Sequence, residues 1–224
     1  MSQVSESISK DKQGKQVTQL TAINTAKTIT IFFLIGCAIL LGISGMRQVL
    51  YLSIHVSYCV WWLIEQWLFP KRREVMFSES ASTGTFISII LFVGFLYALP
   101  GYLAFVNPEP IANSTVLIAL PLFFFGSLIN TAADVQKLTA KEFGAGLVQN
   151  NIWRFSRNIN YFGDLLRYLS FAVIAGSPWA YIVPGLVALL YLQRIFQKEQ
   201  SMKDKYSEYE TYQKTTARLV PFVW

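Results

Sequence analysis

Two segments of the chain repeat one polar pattern. In "LINTAADVQK", Asn130, Asp134 and Lys137 stand at i, i+4 and i+7; in "NINYFGDLLR", Asn160, Asp164 and Arg167 do the same. On a helix this spacing puts an amide, a carboxylate and a cation on one face. Carboxylates suit ribose hydroxyls, amides suit a nucleobase or a carboxamide, and Arg and Lys suit phosphate or carboxylate. A nucleotide-like cofactor needs all three. Arg157 stands just before the second stripe. Arg194 and Glu199 form a third polar group, but five residues apart they point about 140° from one another. The competing reading is an interhelical network in which Asp134 or Asp164 pairs with an arginine.

His55 and Glu65 are candidates for proton transfer or for anchoring a carbonyl. Ten residues apart, they sit about 80° apart on a helix and can line one cavity. Each has a plainer alternative: an interior hydrogen bond for His55, and for Glu65 a reach toward the Lys71–Arg73 cluster. Cys37 and Cys59 fall in apolar runs and read as buried free thiols. With one histidine, no CxxC and no HExxH, the sequence argues against zinc chemistry.

The elements that must position these groups are membrane helices. The chain is 53% hydrophobic and 14% charged, which suits a small polytopic membrane protein. Apolar runs long enough to count as spans cover about Thr28–Met46, Gln48–Phe69, Thr85–Val106, Ser114–Ala133, Phe162–Gly176 and Trp179–Phe196. The fold class expected is therefore all-α: a polytopic membrane bundle of about six spans, with a short helical hairpin and a cytoplasmic cap at its end. The fifth span, only about 22 Å long at 1.5 Å per residue, implies either a thinned bilayer or a helix that starts below the surface and is screened by protein. In the second case its polar beginning would lie inside the bundle.

The net charge of +6 has a one-sided distribution. Lys10, Lys12, Lys15 and Lys27 precede the first span, Lys71–Arg73 follow the second, and Lys137, Lys141, Arg154 and Arg157 lie between the fourth and fifth. The opposite loops hold Arg47 alone. This is a topology signal that puts both termini in the cytoplasm, and not a nucleic-acid surface. "NST" at Asn113 is a glycosylation sequon on the other side. Three regions are expected: a disordered tail over 1–27, a four-span bundle over 28–133, and a cofactor-binding region over 134–224.

At "NTAAD", "NYFGD" and "YETYQKTTARLVPFVW" the chain resembles the carboxy-terminal domain of steroid 5-alpha reductases and their bacterial relatives. That domain is related to the intramembrane sterol reductases and to isoprenylcysteine and phospholipid methyltransferases. The resemblance covers roughly Asn130 to Trp224. It implies NADPH held by Asn130, Asp134, Asn160, Tyr161, Gly163, Asp164 and Arg194, with Lys137, Arg157, Glu199 and Arg218 completing the expected set. In the methyltransferase branch the pattern is Arg-His-Pro-x-Tyr; Arg157 and Tyr161 match it, while Asn158 and Ile159 stand at His-Pro.

The resemblance thus implies a reductase of a carbon–carbon double bond in a steroid-like or isoprenoid lipid. An S-adenosylmethionine-dependent lipid or prenyl methyltransferase is the alternative, and an inactive scaffold of the same fold the third reading. The expected partners are a lipid-soluble substrate and membrane lipids.

Overall fold

The computed structural model describes residues 17–75 and 77–224. Among them all regular structure is helical: α1 Gln19–Leu41, α2 Met46–Leu68, α3 Pro70–Val75, α4 Thr83–Ile89, α5 Leu99–Val106, α6 Asn113–Glu142, α7 Ile159–Ala175, α8 Ile182–Lys205 and α9 Tyr209–Thr215. A π-helical turn, Ile90–Phe95, and a 3-10 turn, Leu96–Ala98, join α4 to α5. Four helical stretches are long and apolar enough to cross a membrane: Gln19–Leu41, Thr83–Val106, Asn113–Glu142 and Pro178–Lys205. The other two expected spans fall on α2, which carries Arg47, Gln48, His55, Glu65 and Gln66, and on α7, which has 17 residues.

The boundaries move for physical reasons. Of the expected tail, residues 1–16 lie outside the described residues, but Gln19–Lys27 already belong to α1. Thr18 Oγ1 accepts from the amide of Thr21 at 3.2 Å, and Leu20, Ala22 and Ala26 are buried, so this stretch has both a cap and a packed face. At the other end, α6 runs nine residues beyond Ala133 and carries Asp134 and Lys137 on one unbroken helix.

The chain divides into two compact units. The first is Met1–Gly36 with Val56–Ala98. In it Asn24 Oδ1 accepts from Trp62 Nε1 (3.0 Å) and Gln66 Nε2 (2.7 Å), closing an amide cluster. Thr30 Oγ1 donates to the Gly94 carbonyl at 3.1 Å, where the π-turn displaces the regular ladder. Lys27, also buried, donates from Nζ to Tyr58 Oη at 3.2 Å.

The second unit is Cys37–His55 with Leu99–Trp224. Its axis is the α6–α7 pair. Gly126 and Gly163 face each other so closely that a Cβ on Gly163 would lie 2.7 Å from the Gly126 carbonyl oxygen and 2.8 Å from the Asn130 amide nitrogen. Only hydrogen in both places lets the backbones meet. Gly176, at φ +66°, ends α7 in the left-handed conformation. Arg47 Nη1 donates to the Ile174 carbonyl at 2.5 Å and Asn107 Nδ2 to that of Ala175 at 3.0 Å, so the last carbonyls of α7 are capped by side chains.

Candidate functional site

The two polar stripes meet where the glycine contact brings α6 and α7 together. Asn130 Nδ2 donates to the main-chain oxygen of Asn160 at 3.1 Å, and Asn160 Nδ2 donates to Asp134 Oδ1 at 3.3 Å. The buried Oδ1 of Asn160 accepts no hydrogen bond among the described residues. One turn further along α7, Asp164 is held on both oxygens: Arg167 Nη2 pairs with Oδ1, and Tyr191 Oη donates to Oδ2 at 2.8 Å. Tyr191, on α8, also stacks on Tyr161 with ring centroids 4.3 Å apart. Asp164 is therefore fixed by its own helix and by α8.

A second cluster is built around Glu199. Arg157 donates from Nε (3.1 Å) and Nη2 (2.8 Å) to Glu199 Oε1, while Arg218 Nε stands 3.2 Å from Oε2. Arg157 Nη1 also donates to the carbonyls of Gln213 (3.0 Å) and Thr216. Arg157, Glu199, Gln213 and Arg218 line a cleft of about 340 Å³ together with Phe196, Gln200 and Lys203. Lys198 joins the clusters: its Nζ donates to Asn158 Oδ1 at 3.1 Å and lies 5.8 Å from the Tyr161 ring centre.

The segment after α9 is tied down from below. Arg157 N donates to the Ala217 carbonyl at 2.9 Å, and Ser156 Oγ (3.2 Å) and Asn158 Nδ2 (2.9 Å) both donate to that of Arg218. Tyr212 Oη donates to the Trp153 carbonyl at 2.5 Å. Burial pushes the Tyr212 hydroxyl well above the ordinary tyrosine range, with the Arg157 charge opposing, so the phenol stays a donor. Burial raises Tyr209 likewise, with Glu199 adding to the effect.

The expected cofactor residues thus fall into two connected sets. Asn130, Asp134, Asn160 and Asp164 gather along α6–α7; Arg157, Glu199 and Arg218 gather at the cleft. Lys137 lies with its Nζ 5.3 Å from the Trp153 ring centre, and exposed Arg194 interacts with Tyr161. Gly163 is used up in helix packing and presents no open backbone. Tyr191, Lys198, Ser156 and Asn158 also belong to the site and are not evident from spacing. Tyr191 reads as one more aromatic in an apolar run.

His55 and Glu65 belong to different units. His55 Nδ1 shares a hydrogen bond with Tyr51 Oη at 2.9 Å, and its ring stacks on Phe171 at 4.3 Å. The carboxylate of Glu65 is ion-paired with Arg72.

Residues 16–216, most of the chain, match a family profile described as "Protein of unknown function (DUF1295)". The chain belongs to the DUF1295 family. Curated relatives of this DUF1295 chain carry the name Delta(14)-sterol reductase. The Arabidopsis thaliana protein is 24% identical over 152 residues, covering 60% of this chain and 41% of the relative. The Schizosaccharomyces pombe protein erg24 is 30% identical over 156 residues, 60% of this chain and 37% of its own. The Saccharomyces cerevisiae protein ERG24 is 29% identical over 151 residues, 59% and 34%. This DUF1295 chain therefore spans about two fifths or less of the length of those relatives.

Proposed function

We propose that the chain is a membrane-embedded, NADPH-dependent reductase of a carbon–carbon double bond in a sterol-like or isoprenoid lipid. The observation that carries this reading is the similarity to three Delta(14)-sterol reductases over about 60% of the chain. The geometry supports it with a donor set of the right chemistry. Asn160 offers a buried acceptor oxygen with no donor among the described residues, the kind of atom a carboxamide N–H satisfies. Asp134 and Asp164 offer carboxylate oxygens for hydroxyls, and Arg218 and Lys203 offer cations at the cleft.

When bound, NADPH would supply a hydride. The chain's own residues would bind and orient it. Asp164, fixed on both oxygens, is a preorganised acceptor, and Tyr191, one of its two partners, is itself stacked on Tyr161. Glu199 is shared between Arg157 and Arg218, so with Lys203 the cleft keeps an excess of positive charge for an anionic group. In this reading the cleft faces the cytoplasm, where a soluble cofactor enters, and the lipid arrives from the bilayer.

Calorimetric titration of the detergent-purified protein with NADPH, and separately with S-adenosylmethionine, tests the reading. NADPH binding that is lost in Asp164→Ala, with the variant still folded, is the expected result. S-adenosylmethionine binding in its place would move the chain to the methyltransferases. Silence toward both from a folded protein would make it a scaffold.

A further inference from the structure

The segment Thr216–Trp224 has one face tied to the protein and one that faces away. On the tied side lie the bonds from Arg157, Ser156 and Asn158, and Leu219 is buried. On the other side, the turn Pro221–Trp224 closes on itself. The amides of Leu219 and Val220 donate to the main-chain oxygen of Trp224 at 2.7 and 2.8 Å, and Phe222 takes a left-handed φ of +65°. A phenylalanine in that conformation is strained, so the turn is held in place by its surroundings. What it displays is apolar: Phe222 is 87% exposed, Val223 80% and Trp224 43%.

The exposed turn adjoins the apolar flank of α8. The Arg218 guanidinium lies between two rings, 5.2 Å from the centre of Phe196 on α8 and 5.0 Å from that of Trp224. Phe196 is itself 55% exposed and closes the apolar part of a helix long enough to cross a membrane. Phe155 braces the turn from the other side, its ring 5.7 Å from that of Phe222. Exposed aromatics around an arginine, at the end of a spanning segment, are the composition of a membrane–water boundary. In water the same patch would be an exposed apolar surface without a partner.

We infer that the Pro221–Trp224 turn is a lipid-interface anchor: Phe222, Val223 and Trp224 insert among the acyl chains at the headgroup boundary, continuous with Phe196. Arg218 reaches past them to Glu199. The anchor holds the outer wall of the cleft, because the anchored segment also carries the Thr216, Ala217 and Arg218 carbonyls that bind Arg157, Ser156 and Asn158. The inference is independent of which cofactor the cleft takes.

The test uses the full chain in phosphatidylcholine nanodiscs, with and without bromine on the acyl chains near the headgroups. Subtracting the emission of Trp224→Phe isolates Trp224 from the other tryptophans. Bromine is expected to reduce the Trp224 emission roughly by half, and aqueous iodide to leave it unchanged. Trp224 emission that ignores bromine and is quenched by iodide overturns the inference. The double variant Phe222→Ser, Val223→Ser should transfer Trp224 from bromine to iodide sensitivity and speed hydrogen exchange at the Leu219 and Val220 amides. Unchanged bromine quenching and exchange in a folded double variant would equally overturn it.

Discussion

Glu199 holds Arg157 through one oxygen, with Nε at 3.1 Å and Nη2 at 2.8 Å, and leaves its other oxygen to Arg218. Both members of the Arg157–Glu199 pair are buried. Glu199→Gln should therefore cost about 3–5 kcal/mol, since it strands a buried guanidinium. Arg157→Lys should recover little of the function of Arg157, because one ammonium cannot serve Glu199 and the Gln213 and Thr216 carbonyls together. Melting curves of the variants in detergent check both; a Glu199→Gln protein as stable as the parent would remove the pair from its structural role.

The Gly126–Gly163 contact predicts a steep response to one methyl group. Gly163→Ala places a carbon within 2.7–2.8 Å of backbone atoms of α6, which cannot rotate away. A loss of about 1–3 kcal/mol is expected, along with weakening of the Asn130 and Asn160 bonds. Gly185→Ala, where nothing lies within 4 Å, is the control and should be near neutral. Equal melting temperatures for the two would contradict the close approach.

Glu65 and Arg72 make an ion pair with little exposure on either side. We read Glu65 as a structural carboxylate, so Glu65→Gln and Arg72→Met should each destabilise by about 2–4 kcal/mol, and the double variant by less than their sum. Full loss of turnover in Glu65→Gln at unchanged stability would instead return Glu65 to the chemistry.

Alkaline titration should report on the segment after α9. The folded protein holds the Tyr212 proton more tightly than an unfolded chain, whose tyrosine titrates near the ordinary 10.0. The contribution of Tyr212 is thus complete below that pH and is lost as pH rises above it. Phenolate absorbance is expected to show Tyr212 ionising only as the segment opens, and Tyr212→Phe should flatten this part of the alkaline slope. A Tyr212 that ionises at or below the ordinary value in the folded protein would refute the assignment.

The polar stripes are legible in the sequence because a period of i, i+4, i+7 puts each on one helical face, and Asn130, Asp134 and Asn160 do come together. Their partners are less so. Asp164 finds Arg167 three residues along its own helix, which spacing alone allows, but its second oxygen is taken by Tyr191, whose hydroxyl is hidden in an apolar run. Asn158 looks like a departure from a methyltransferase pattern, whereas its side chain joins Lys198 to the Arg218 carbonyl. Gly126 carries no sequence signal except that it stands four residues before Asn130, on the same helical face. Such contacts depend on which helices become neighbours, a property that one chain's local periodicity does not encode.

The seating of Gly126 against Gly163 has a consequence for how this chain can change. The interlocked backbones fix how closely α6 approaches α7, and the Asn130 and Asn160 side-chain bonds cross the same pair. Asn130, Asp134, Asn160 and Asp164 are thus carried on two helices whose approach is fixed by a pair of glycines. A change at either glycine would therefore move all four polar side chains together, whereas a change at any one of the four leaves the glycine contact in place.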